Sequence, residues 1–190
     1  RKEIQLIDQL YSLFSDVLSS TKTWSSVLWS NVTAEYVSTM TDVSNSFDAR
    51  CKKIPKKLRE WLAYDEVVGK IADLQVIIPL LTEMSKPSMK PRHWDSINGI
   101  LASGSLKPLP YSDENFALSH CFESNIQKYK EDIEEICDGA DKQLQIEKKM
   151  GELKDRWATA AFEFAMWKNR DVPVLKAFGY VIEELDEAQL

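Results

Sequence analysis

Between Ile4 and Leu18 the apolar residues Ile4, Leu6, Ile7, Leu10, Leu13, Phe14, Val17 and Leu18 recur at intervals of three and four, the period of a helix with one buried face. The spacing predicts a first helix. The run Ser19-Ser20-Thr21-Lys22-Thr23 is a candidate interruption, because short hydroxyl side chains compete for backbone hydrogen bonds, while Trp24 and Trp29 leave an amphipathic extension open. Asn31 suits the N-cap of a second helix, whose stripe of Val32, Tyr36, Val37, Met40, Val43 and Phe47 runs until Pro55 forces a stop. A third pattern starts at Leu58 and passes through Trp61, Leu62, Val68, Ile71, Leu74, Ile77 and Ile78. Pro79 deletes one backbone donor there and predicts a kink or break before Leu80 and Leu81. Ser88-Met89-Lys90-Pro91 reads as the capped start of a fourth helix, since proline costs little in a first turn whose amides have no partner. That helix carries Arg92, His93, Trp94, Ile97 and Leu101.

The glycine, prolines and serines between Ala102 and Asp113 form the one long stretch of turn chemistry. They suggest a division into a first helical bundle, residues 1–101, a connecting loop, 102–113, and a second helical segment, 114–190. In the latter, Ile126 to Ile136 and Ala140 to about Ala161 are strongly helical, with Leu144, Ile146, Met150, Leu153 and Trp157 marking a heptad-like face among charges. The period then shortens. Phe162, Phe164 and Met166 alternate with Glu163 and Ala165, and Val172, Val174 and Leu175 follow the polar turn Lys168-Asn169-Arg170-Asp171, so a short β-hairpin is expected at about 162–176. Pro173 fits a two-stranded ribbon better than a large sheet. From Gly179 to Leu190 the pattern is helical again. The fold class read from these elements is mainly α, an elongated stack of helical bundles with one short β-hairpin near the C-terminus.

Composition narrows the function classes. Of 190 residues 44% are hydrophobic, enough for a real core, and no stretch approaches the roughly 18 uninterrupted apolar residues of a membrane span. With 24 basic and 30 acidic side chains the formal charge is -6, which disfavours polyanions at long range, so neither nucleic acid nor membrane is an expected partner. Cys51, Cys121 and Cys137 are too few and too widely spaced for a disulfide framework or a zinc pattern, and they suit a reducing compartment. The chain opens at Arg1 without methionine or a signal-like segment and closes in a helical pattern, so a piece of a longer polypeptide is expected.

Candidate chemistry is sparse. Gly99-Ile100-Leu101-Ala102-Ser103-Gly104-Ser105 has the glycine spacing of a phosphate loop, but serine stands where lysine must reach the phosphates and no strand precedes it. An ordinary helix end is the better reading. His93 and His120 lack neighbours for zinc or acid–base work, and His120 and Cys121 are adjacent and so point apart. No catalytic, cofactor-binding or metal-ligating residue is named. Lys52, Lys53, Lys56, Lys57 and Arg59 are the densest basic cluster, which could meet an acidic partner surface or a microtubule-like polyanion, but a solvated helix end is the favoured reading. Trp24, Trp29, Trp61, Trp94, Trp157 and Trp167 lie in different elements, as anchors throughout a multi-helix body would.

The segment Ile77-Ile78-Pro79-Leu80-Leu81, then Met84, then Met89-Lys90-Pro91-Arg92-His93-Trp94, resembles the linker of dynein heavy chains, where a proline-containing apolar helix precedes an Arg-His-Trp signature. The order persists around it: Trp24 and Trp29, Trp61-Leu62-Ala63-Tyr64, Ile133-Glu134-Glu135-Ile136, Ile146-Glu147-Lys148-Lys149, Trp157, Phe162-Glu163-Phe164, Val174-Leu175-Lys176 and Ile182-Glu183-Glu184-Leu185-Asp186-Glu187. The resemblance covers nearly the whole chain and implies the N-terminal part of the linker. That element would be a mechanical lever swinging across the AAA+ ring in the power stroke. On this reading the segment is non-catalytic and holds no cofactor, ATP and magnesium being bound by AAA+ modules outside it. Its partners would be the ring of the same heavy chain and the nearby stem with intermediate or light chains, with microtubules reached only through the distant parent motor. The implied setting is cytoplasm and cytoskeleton, with the axoneme of a cilium or flagellum as its place. Arg92, His93, Trp94 and Trp157 are the family-signature residues, structural or interfacial, with a structural role favoured for the first three by the general excess of packing roles. The alternative is a free-standing helical scaffold or adaptor module binding protein partners. A small hydrolase using His93, His120 or Cys121 ranks last.

Overall fold

The computed structural model describes residues 2–159, 161–168, 171–176 and 178–189. These form seven α-helices and one two-stranded sheet: α1 Lys2–Ser25, α2 Ala34–Lys52, α3 Leu62–Met84, α4 Pro91–Ser103, α5 Leu118–Glu123, α6 Lys130–Thr159, β1 Glu163–Met166, β2 Pro173–Lys176 and α7 Gly179–Gln189. The mainly helical class with a C-terminal hairpin is therefore as expected. The chain divides into two compact units, 1–144 and 145–190, with the boundary inside α6 rather than in the turn-rich loop.

In the first unit α3 is the central element. It packs against both α1 and α2 and buries Val67, Ile71, Leu74, Ile77, Ile78, Leu80, Leu81 and Met84. Helix α1 contributes Leu10, Leu13, Val17 and Trp24, and α2 contributes Val37, Met40, Phe47 and Cys51, to one continuous core. Phe116, Leu118, Cys121, Ile126, Ile133 and Cys137, all beyond the loop, belong to that same core. This is why the loop joins rather than divides.

Several local expectations are corrected by tertiary context. The Ser/Thr run does not interrupt α1, because the hydroxyls of Thr21, Thr23 and Ser25 donate to the carbonyls four residues back, Val17, Ser19 and Thr21, at 2.8, 2.9 and 2.7 Å. Asn31 is not the N-cap of α2. It ends a 3-10 turn, and Thr33 caps instead, its Oγ1 accepting the Tyr36 N–H at 3.1 Å. The pattern starting at Leu58 opens as a 3-10 turn over Lys56–Leu58, and α3 begins only at Leu62. Pro79 does not end α3. It lies on the exposed face with Gln75, so the Gln75 carbonyl that loses its N–H partner faces water. The fourth helix starts at Pro91 with Lys90 as N-cap, not at Ser88. The two helices expected around Gly139 are a single helix, α6, in which Ile133, Cys137 and Ala140 are buried on either side of that glycine and packing outweighs its cost of about 1 kcal/mol.

In the second unit β1 and β2 pair antiparallel with Glu163 opposite Lys176, Phe164 opposite Leu175, Ala165 opposite Val174 and Met166 opposite Pro173. Pro173 is the first residue of its strand, where a missing donor is tolerated. Of the turn expected at 168–171, residues 169 and 170 lie outside the described residues, as does Leu190 of the final helix and the side chain of Leu6. Arg156 of α6 and Glu184 of α7 form an ion pair at 3.6 Å.

Candidate functional site

The start of α4 is fixed by the sequence Lys90-Pro91-Arg92-His93. Pro91 occupies the first helical position, where its fixed φ is already helical and its missing N–H costs nothing. The Lys90 N–H is accepted by His93 Nδ1 at 3.0 Å while the His93 N–H donates to the Lys90 carbonyl at 2.8 Å. This is the reciprocal closure of a first helical turn, with histidine in the place usually held by glutamate. At the other ring nitrogen, Nε2 lies 3.2 Å from Arg92 Nε and 3.5 Å from Gln143 Oε1, so the ring also bridges α4 to α6. The same device recurs at α5, where His120 Nδ1 accepts the Ala117 N–H at 3.2 Å. Both histidines of the chain thus close helix starts.

That closure sets the direction of Trp94, which is 6% exposed. Its ring meets three aromatic groups from three segments. Trp29, from the α1–α2 connection, lies edge-on at 5.2 Å; Tyr111, from the loop after α4, stacks at 5.8 Å; Phe116, just before α5, is edge-on at 5.8 Å. Trp29 and Phe116 also stack on each other at 5.2 Å, and Phe116 touches the His120 ring at 5.8 Å. Such pairs contribute about 0.5–1.5 kcal/mol each beyond the area they bury.

Backbone bonds fasten the same segments. Trp29 N–H donates to the Phe116 carbonyl at 2.7 Å and Leu118 N–H to the Val27 carbonyl at 2.9 Å, an isolated antiparallel bridge between Leu28 and Ala117. Asn98 of α4 acts as a surrogate strand: its Nδ2 donates to the Leu109 carbonyl at 3.0 Å and its Oδ1 accepts the Leu109 N–H at 2.7 Å. Tyr111 Oη donates to Asp95 at 2.7 Å, and that carboxylate holds the phenol above its ordinary pKa. Ser124 Oγ donates to the Lys107 carbonyl at 2.9 Å. The turn-rich loop is pinned from both sides.

The Gly99–Ser105 stretch is the C-terminus of α4. Ser105, not Gly104, adopts the left-handed conformation, φ 56°, and the Leu106 and Ser105 N–H groups return to the Leu101 and Ala102 carbonyls at 2.9 and 3.0 Å, a Schellman closure. Gly104 is needed for space. A Cβ there would come within 1.9 Å of Tyr129 Oη.

Of the residues singled out from sequence, His93 and Trp94 are buried side by side at this hub, and Arg92 is exposed beside them with Nε 3.2 Å from His93 Nε2. Trp157 lies in the second unit, half-buried, lining a cavity of about 50 Å³ with Ala161, Phe162, Tyr180 and Val181. Sequence reasoning missed Asn98, Tyr111 and Phe116. Asn98 carried a usable signal, since a polar amide on an otherwise apolar-patterned helix is often spent on a neighbouring backbone. The aromatics in the loop carried none without knowing what faces them.

The thiols are shielded. Burial pushes Cys121 and Cys137 up to about 12 and raises Cys51. Among the described residues no three His, Cys, Asp or Glu side chains are grouped to hold a metal ion.

Compared with known proteins, residues 1–190 match the family described as dynein heavy chain, N-terminal region 2. The chain is 34% identical over its full length to a dynein gamma chain of the flagellar outer arm from Chlamydomonas reinhardtii, covering 4% of that protein. It is 33% identical to human dynein axonemal heavy chain 8 and 30% identical to mouse dynein axonemal heavy chain 5, each over 93% of this chain and 4% of the relative. The chain therefore spans about 4% of the length of these curated relatives.

Proposed function

The chain belongs to the dynein heavy chain family, in its N-terminal region 2, and from that premise we propose that it is a segment of the linker, a mechanical lever that couples ATP hydrolysis elsewhere in the heavy chain to movement along microtubules. Its setting is the axoneme of a cilium or flagellum, the place that the names of its relatives carry. The AAA+ ring of the same polypeptide is the surface it works against, with the stem and its associated chains nearby. ATP and magnesium belong to the ring on this reading, and no group of this segment takes part in hydrolysis.

The observation that carries the proposal is the Trp94 hub. A lever must transmit force without its connections yielding first, and here connections 26–33 and 104–117 are tied to α4 by aromatic contacts and the Asn98 amide, and to each other by backbone bonds. Coupling to the ring requires that nucleotide state change which docked position is favoured, since equal affinity for both shifts nothing.

The test is made in the parent motor. Asn98→Ala removes both bonds to Leu109 without opening the aromatic hub. Microtubule gliding slowed with ATP turnover retained is the expected uncoupling. A proportional loss of both, or specific ATP hydrolysis by residues 1–190 alone, would sink the lever reading; a small native polypeptide indifferent to nucleotide would favour the adaptor.

A further inference from the structure

The basic run at the end of α2 is not used by the lever reading. Part of it has a local role: Arg59 donates from Nε to the Ile54 carbonyl at 3.0 Å and from a terminal nitrogen to the Lys52 carbonyl at 2.9 Å. Lys52 pairs with Asp48 at 2.5 Å and Arg50 with Asp16 at 2.8 Å. These cations satisfy the negative end of the helix and its neighbours. Lys53, Lys56 and Lys57 are left over. All three are exposed, and among the described residues none is in a salt bridge.

The backbone that carries them is fixed. Ile54 and Leu58 are buried on its inner side; the N–H groups of Lys53 and Ile54 donate to the Arg50 and Cys51 carbonyls at the end of α2, and those of Leu58, Arg59 and Trp61 to carbonyls within the connector, all at 3.0–3.2 Å. Three like charges within five residues are thus held outward on a rigid loop, an arrangement that repels itself in the isolated chain and is relieved by an opposite charge. Rigidity also lowers the entropy lost on association. Lys53 further lines an open cavity of about 480 Å³ with Leu13 and Ile54 on its apolar side. Directly after the lysines, Trp61 is 40% and Leu62 75% exposed. An exposed tryptophan beside a partly apolar concavity suits an interface anchor, and the lysines, a residue type depleted from interface centres, suit its charged rim.

We propose that the α2–α3 connector, through Lys53, Lys56, Lys57, Trp61 and Leu62, docks an acidic polypeptide segment that also carries apolar side chains. Asp8 lines the same cavity as Lys53, and Glu60 and Asp65 follow the lysines along the chain, so a phosphate backbone or an anionic bilayer, uniform in charge, would meet these acids as well as the lysines. A peptide can set its carboxylates against the lysines alone and place an apolar side chain in the cavity. The patch is a selective surface.

The test titrates the full 190-residue chain against a fluorescein-labelled synthetic peptide of glutamates interspersed with phenylalanine and leucine, read by anisotropy. Saturable, salt-sensitive binding is expected. It should weaken by about tenfold or more when Lys53→Glu, Lys56→Glu and Lys57→Glu are combined, and several-fold in Trp61→Ala. Should the charge-reversed chain lose its helical circular dichroism, the set Lys53→Gln, Lys56→Gln and Lys57→Gln carries the same comparison. Binding unchanged in the folded lysine variant would overturn the proposal. So would duplex oligonucleotide, or vesicles containing phosphatidylserine, competing as well as the peptide, which would mark a general polyanion patch.

Discussion

At the scale of single residues, what this chain does with its polar side chains is mostly to complete backbones. His93 and His120 close helix starts, Asn98 replaces a strand partner, and Thr33 caps α2. Each was visible in the sequence as a residue type; none of the partners was, except for local ones three residues away. Trp94 differs in that its worth is in contacts with segments distant in sequence. Trp94→Ala should cost about 3–5 kcal/mol, because the surrounding rings cannot collapse into so large a void. The measurement is the urea midpoint followed by circular dichroism. An unchanged midpoint would mean that the Trp29, Tyr111 and Phe116 rings close over the gap.

At the scale of elements, the apolar stripes located the helices well and their ends less well. Periodicity reports the side of a helix that meets the core, and it is silent about whether a short hydroxyl run or a glycine is absorbed. Thr21, Thr23 and Ser25 were absorbed by donating back along α1, and Gly139 because the rest of α6 paid the cost. Pro79 was absorbed because its defect faces water. Pro79→Ala should therefore stabilise the chain, by about 1–3 kcal/mol, since it restores a donor for the Gln75 carbonyl and removes the ring clash of an interior proline. A higher urea midpoint with an unchanged slope is the expected result. A lower one would show that the proline geometry itself is built into the packing of α3.

At the scale of the molecule, the core of the first unit is closed by polar ties as well as apolar ones. Lys86, just past α3, pairs with Glu83 and, at 2.9 Å, with Asp141 of α6. The nearby Ser88 hydroxyl, short of a fully formed hydrogen bond, and then the Lys86 ammonium hold the Asp141 carboxyl below its usual range, while Glu83 and Asp141 raise the Lys86 ammonium above its own. The signs combine simply. A depressed carboxylate stabilises the fold above its unfolded pKa, about 3.9, and the benefit is lost as pH falls through the lower folded value; a raised lysine stabilises below about 10.4 and loses the benefit as pH rises through the higher one. The tie is thus present across the neutral range. Because its side chains are about a third exposed, Lys86→Met should cost no more than about 1 kcal/mol at pH 7. The difference from wild type should shrink as pH drops below about 4, as measured by urea midpoints at several pH values. A pH-independent difference would mean that packing of the lysine stem, not charge, is what the substitution removes.

The sequence by itself determined that the chain is helical with a terminal hairpin, much of the buried stripes of α1 to α4, though Ile4, Leu18, Leu62 and Val68 proved exposed and Val67 buried, and the family to which it belongs, because helical period, strand alternation and motif order are all properties of nearest neighbours along a chain. Tertiary structure alone decided that residues on both sides of the turn-rich loop share one core, that Trp94 gathers Trp29, Tyr111 and Phe116 around it, and that Asn98 holds Leu109. Those choices depend on which segments meet in space. A one-dimensional pattern fixes the side of a helix that is buried, but the identity of what it is buried against is settled only when the whole core closes at once.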